Sequence, residues 1–132
     1  MKNAASPLFC SPFQSPSIKE PNSGLYHISF LHNSLNKILD LCAEMDSPIS
    51  CIFVDIYDTL QPAKPSIQIN KATFEKVAQL VVQTIRVGDP AVHYDHNRIL
   101  IFVIGADEQE AFRMTCLLRK KLQNYETTKL RN

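Results

Sequence analysis

From Ile28 to Met45 the apolar residues Leu31, Leu35, Ile38, Leu39 and Cys42 recur three and four apart, which predicts one helix with a buried face. Asp46-Ser47-Pro48 ends it, because the residue before a proline is pushed out of the helical region. Ile49 to Tyr57, ISCIFVDIY, is an apolar run rich in β-branched and aromatic residues. It predicts a strand covered on both faces for most of its length. Residues 58–69 hold Pro62 and Pro65 and read as a loop. Asn70 can cap a helix over Lys71 to Arg86, in which Phe74, Val77, Ala78, Val81 and Ile85 form the apolar stripe. Gly88-Asp89-Pro90 breaks that helix. Two short strands follow, Ala91–Tyr94 and Arg98–Ile104, around an Asp95-His96-Asn97 turn. A last helix runs from about Asp107 to Tyr125, acidic in its first turn and basic at its end. The order helix, strand, helix, strand, strand, helix predicts an α/β (α+β) sandwich, with helices packed on a small mixed sheet.

Residues 1–23 hold four of the eight prolines and five serines, and read as an irregular leader. The domain spans 24–125, and 126–132 form a polar tail. With 132 residues the chain supports one core. A net charge of +1 leaves no electrostatic footprint for nucleic acid or an anionic membrane. The basic residues near the end (Arg119, Lys120, Lys121, Lys129, Arg131) suit a solvated helix terminus. No apolar run has the length of a membrane span, and the N-terminus is a poor signal peptide, so the expected location is the cytoplasm. The four cysteines are scattered, and Cys42, Cys51 and Cys116 read as buried small hydrophobes. His27, His32, His93 and His96 have no metal-ligand spacing, and no cofactor is expected.

From about Glu20 to Leu122, pattern and order together resemble the GGDEF domain, the diguanylate cyclase fold of bacterial cyclic-di-GMP signalling. The family opens with Asp-x-Leu-Thr-Gly-Leu-x-Asn-Arg; here EPNSGLYHI keeps Gly24 and Leu25, and His27-Ile28 replaces Asn-Arg. The Phe-x-Asp-x-Asp strand appears as Phe53-Val54-Asp55-Ile56-Tyr57. After the Val77-Ala78 helix, Asp95-His96-Asn97-Arg98-Ile99 occupies the place of Gly-Gly-Asp-Glu-Phe. The resemblance implies a ferredoxin-like core whose last strand and helix are missing here.

The departures within that resemblance bear on the chemistry. The family's two glycines let the backbone approach GTP, because no Cβ intrudes; Asp95 and His96 put side chains there. Two-metal phosphoryl transfer needs carboxylates on hard cations. Of that set only Asp55 survives, since Asn97 is neutral and Arg98 reverses the charge. The expectation is a catalytically inactive domain. Better kept is the family's Arg-x-x-Asp product site, five residues before the signature, present as Arg86-Val87-Gly88-Asp89. A guanidinium can fork onto phosphate or the guanine Hoogsteen edge, while a carboxylate accepts from guanine N1 and N2. The same two residues also suit a helix end followed by a Gly-Asp-Pro turn.

The strand that would pair with Ile49–Tyr57 in the family is absent, which exposes an edge and implies a protein partner or a homodimer there. Three function classes follow. One is an inactive GGDEF-like signalling or interaction module, binding cyclic-di-GMP through Arg86 and Asp89. The second is a protein-only adaptor or structural remnant, and the third an active cyclase with unusual residues.

Overall fold

A computed structural model of the chain describes residues 19–56 and 70–131, with side chains as far as Asn124. Order begins before Gly24: Lys19 and Tyr26 form an antiparallel bridge, and the Glu20 N–H donates to the Leu25 carbonyl at 2.7 Å. Gly24 turns this segment at φ 79°, in the left-handed region that favours glycine.

The segment predicted as one helix is two, α1 (Ser29–Asn33) and α2 (Leu35–Glu44), because Ser34 leaves helical geometry at φ −126°. The spacing of Leu31 to Leu35 to Ile38 runs through that break without a change of face, so periodicity hides it. Ser34 is buried, and its carbonyl still accepts from Ile38 N–H. Asp46 ends α2 at φ 51°, while Ser47 N–H donates back to the Cys42 carbonyl at 2.8 Å.

Strands β1 (Ile49–Asp55), β2 (Ala91–Asp95) and β3 (Arg98–Ile104) form one sheet in the order β1-β3-β2, with both pairings antiparallel. The expected mixed sheet is thus an antiparallel one, and its only parallel element among the described residues is a single bridge from Tyr26 to Val92. The expected doubly covered strand is also displaced. Ile99 through Val103 of central β3 are all buried, whereas in β1 only Ile52 is. An apolar run cannot by itself reveal whether a strand lies at the centre or the edge.

The sheet lies between two helical layers. Helix α3 (Lys71–Thr84) and helix α4 (Glu108–Arg131) cover one face, where Phe74, Val81 and Leu118 pack against Ile52, Ile99 and Ile101. Helices α1 and α2 cover the other, with Phe30, Ile38 and Cys42 against Val92, Leu100 and Phe102. Asn70 caps α3 as the sequence indicates, its Oδ1 accepting from Ala72 N–H at 2.7 Å and Thr73 N–H at 3.3 Å. Asp107 and Glu110 form a reciprocal capping box on α4. That helix runs to Arg131, through the stretch expected as a polar tail. Cys42 is buried as expected, but Cys51 and Cys116 are exposed, one on the edge strand and one on the outer side of α4. Cys10, Tyr57 and the whole 58–69 loop lie outside the described residues.

Candidate functional site

The β2–β3 turn carries Asp95, His96, Asn97, Arg98 and Ile99, and a bulge between His93 and Asp95 brings Asp95 opposite Arg98. Asp95 Oδ1 accepts from the His96 amide at 2.7 Å and lies 2.9 Å from His96 Nδ1. That amide above all, with lesser help from the His96 ring and Arg98, holds the Asp95 carboxyl below its ordinary pKa. Ile99 points into the α3–α4 core and is fully buried, so it is a packing residue. Asn97 uses its carbonyl to accept from Ile56 N–H at 2.9 Å, which ties the turn to the end of β1.

Asp55 and Arg98 are directly opposed across β1 and β3. Arg98 Nε donates to Asp55 Oδ1 at 2.6 Å, and Nη2 to Oδ2 at 3.4 Å. The guanidinium also sits 5.4 Å from the Phe53 ring centroid, and Tyr94 meets Phe53 edge-on at 5.6 Å. This is the place where the resemblance implies carboxylates on divalent cations. The residues do not fit such ions: a fixed positive charge already occupies the carboxylate, and its neighbours are aromatic. Among the described residues no three of His, Cys, Asp and Glu gather as a ligand set.

Arg86 and Asp89 lie at the opposite end of β3. Arg86 Nε donates to Asp89 Oδ2 at 2.8 Å, and its Nη2 donates to the Ile104 carbonyl at 2.7 Å. Asp89 Oδ1 accepts from the Ile104 N–H at 3.1 Å. The pair therefore grips both main-chain groups of one residue. The Asp89 side chain is 6% exposed and the Arg86 side chain 46% exposed. The hydrogen bond that Arg86 donates to Asp89 raises the pKa of Arg86 further above its already high value.

A third cluster escaped the sequence reading. His93 on β2 stacks on Phe74 of α3 with ring centroids 4.4 Å apart. Its Nδ1 lies 3.0 and 3.1 Å from the two carboxylate oxygens of Glu20, so Nδ1 carries the hydrogen and donates. Ser23 Oγ donates to the same carboxylate at 2.7 Å. These groups, with Lys71 and Glu75, line a cleft of about 250 Å³. Glu20 and His93 are 73 residues apart, and nothing in the sequence links them.

No protein-family model matches the chain, and no curated protein matches it significantly. Solved structures do. A DGC protein from Thermotoga maritima matches with TM-score 0.58 at 16% identity, over 80% of this chain and 76% of that one. The FimX GGDEF domain from Pseudomonas aeruginosa matches with TM-score 0.66 at 14% identity, over 82% and 67%. The GGDEF domain of DgcB from Caulobacter crescentus, solved in complex with c-di-GMP, matches with TM-score 0.58 at 12% identity, over 73% and 55%. The chain has the fold of GGDEF domains. Among the described residues no helix is long and apolar enough to cross a membrane.

Proposed function

We propose that this is a GGDEF-fold domain without cyclase activity, which works in the cytoplasm by binding. The observation that carries the reading is the Asp55–Arg98 pair. The one carboxylate matching the family's cation ligands is bonded to a guanidinium at 2.6 Å. A cation there would have to displace that charge and would find no second carboxylate on β3, since Asn97 and Arg98 stand in those positions. The side chains of Asp95 and His96, at the positions of the two glycines, add to the obstruction.

Cyclic-di-GMP at Arg86 and Asp89 is the ligand of this reading. The half-exposed guanidinium supports it, as does the complex of a structural neighbour with that dinucleotide. Asp89 spends both oxygens on Arg86 and Ile104, so the first contact falls to Arg86, whose planar fork suits phosphate or guanine. The protein partner of the domain docks along the side of β1 that no described strand covers.

Calorimetric titration of the purified chain with cyclic-di-GMP, beside a GTP and Mg²⁺ turnover assay, tests both claims. Micromolar binding that disappears in Arg86→Ala, with no product from GTP, is the expected outcome. Turnover of GTP would sink the non-catalytic reading. Silence toward cyclic-di-GMP would remove the dinucleotide and leave a domain that binds only protein.

A further inference from the structure

Among the described residues, one row of main-chain groups on β1 has no partner. In the antiparallel pairing with β3, Ile56 N–H donates to the Asn97 carbonyl and Gly105 N–H to that of Pro48. Hydrogen-bonded pairs alternate along such a ladder. Ser50, Ile52 and Val54 therefore exchange bonds with β3, while Ile49, Cys51 and Phe53 aim their N–H and C=O groups away from it. Among the described residues no strand pairs with that second edge. The outer edge of β2 differs, because Tyr26 covers it by donating to Ala91 and accepting from His93.

Sheets in soluble proteins guard an open edge with a charge, a proline or a bulge. From Ile49 to Val54 there is none of these. The single charge of the strand, Asp55, is held by Arg98. Such an edge suits a strand without charge along the paired stretch, and residues 49–54 of β1 are one. Turned against itself about a two-fold axis through Ile52, every residue of 50–54 finds a partner. Cys51 then faces the partner's Phe53 in a hydrogen-bonded pair, and Ile52 meets its own counterpart. Any shift of register loses pairs, and a shift toward the C-terminal end brings the two Asp55 carboxylates together. Beside this seam Phe53 is 53% and Tyr94 42% exposed. The two-fold axis joins Cys51 and Phe53 of both copies into one apolar row flanked by the two tyrosines.

We infer that β1 pairs with β1 of a second copy of this chain about a two-fold axis at Ile52, merging two three-stranded sheets into one of six strands. The inference rests on the reading of the chain as a binding domain only in that it names the partner. A GTP turnover assay and a dimer measurement can therefore fail separately.

Sedimentation velocity of the full chain, from low to high micromolar, reads the dimer directly. The expected result is a monomer–dimer equilibrium whose dissociation constant rises at least about tenfold in Cys51→Lys. Cys51 is exposed, so the circular dichroism of that variant, and its melting at concentrations where both chains are monomeric, stay unchanged. Register is read with Phe53→Cys under mild oxidation. Hydrogen-bonded partners lie about 5.5 Å apart at Cα, within disulfide range, so peptide mapping should find Cys51 linked to the introduced thiol of the other copy. A monomer at every concentration, or a dimer indifferent to Cys51→Lys, overturns the proposal. So does a disulfide in another register. Amide exchange at Cys51 and Phe53 that is slow at every dilution overturns it too, because the chain would then cover its own edge.

Discussion

Two Arg–Asp pairs sit at the two ends of β3, and they do different work. At the tip, Arg98 and Asp55 face each other across the ladder, 42% and 31% exposed, and bond only through side chains in the contacts described. At the far end, Arg86 and Asp89 also bond to each other, but the carboxylate is nearly buried and both partners reach the Ile104 main chain. The contrast is one of context. An exposed pair contributes ~1 kcal/mol or less, because water competes for both charges. A buried carboxylate that satisfies a main-chain donor is costly to remove, because the donor is left dry. The pair at the far end thus has a structural role whatever it binds, while the pair at the tip should contribute less to the fold.

The largest effect should come from Asp89→Ala, which strips the acceptor from both Ile104 N–H and Arg86 Nε. Urea unfolding should show a loss of about 2 kcal/mol, with part of it restored in Asp89→Asn. A loss no larger than that of Asp55→Ala would erase the distinction between the two ends. Next, Asp55→Ala and Arg98→Ala should each cost ~1 kcal/mol or less, and a double-mutant cycle should return a coupling below that. A coupling of several kcal/mol would mean the tip is as structural as the far end. Arg98→Glu sharpens the comparison by placing two carboxylates opposite each other. Millimolar Mg²⁺ should then raise the melting temperature of the variant and leave that of the original chain alone. Equal response in both would show that Arg98 does not exclude the ion.

The smallest effect concerns pH. Asp95 in the folded chain titrates below its ordinary 3.8, mainly because the His96 amide donates to it. Its contribution is therefore complete above about pH 4 and is lost as pH falls through the lower folded value. An NMR titration should place the midpoint of the His96 amide shift below 3.8, and Asp95→Asn should abolish the transition. A midpoint at or above the ordinary value would remove the bond from the tip.

Local chemistry was legible in the sequence, and contacts across the fold were not. Asn70 before an apolar stripe announces a cap, whereas Gly88-Asp89-Pro90 places the end of α3 late, since the helix stops at Thr84 and Ile85 is already extended. The Asp107-x-x-Glu110 spacing is a capping signal that sequence reading could have taken up and did not. Ser34 interrupts a helix without disturbing its apolar spacing, so the pattern carries no trace of the break. Cys51 looks like a core residue because ISCIFVDIY is apolar throughout. Its exposure goes with β1 having one neighbour among the described strands, a fact of topology. Asp89 illustrates both cases: its bond to Arg86 is three residues long and readable, while its bond to Ile104 spans 15.

The grip on Ile104 also decides from which end the sheet can fray. Its N–H and C=O are both tied down, and the next residue, Gly105, donates to the Pro48 carbonyl at 2.7 Å. At the other end, Asp95 and His96 stand in solvent, while Asn97 and Arg98 hold the hairpin to β1. The strand is thus fastened twice, at Ile104 through main-chain groups gripped by a nearly buried carboxylate and at Arg98 through an exposed side-chain pair. Of the two stitches the one at Ile104 is the firmer, so amide protection should be the greater at that end.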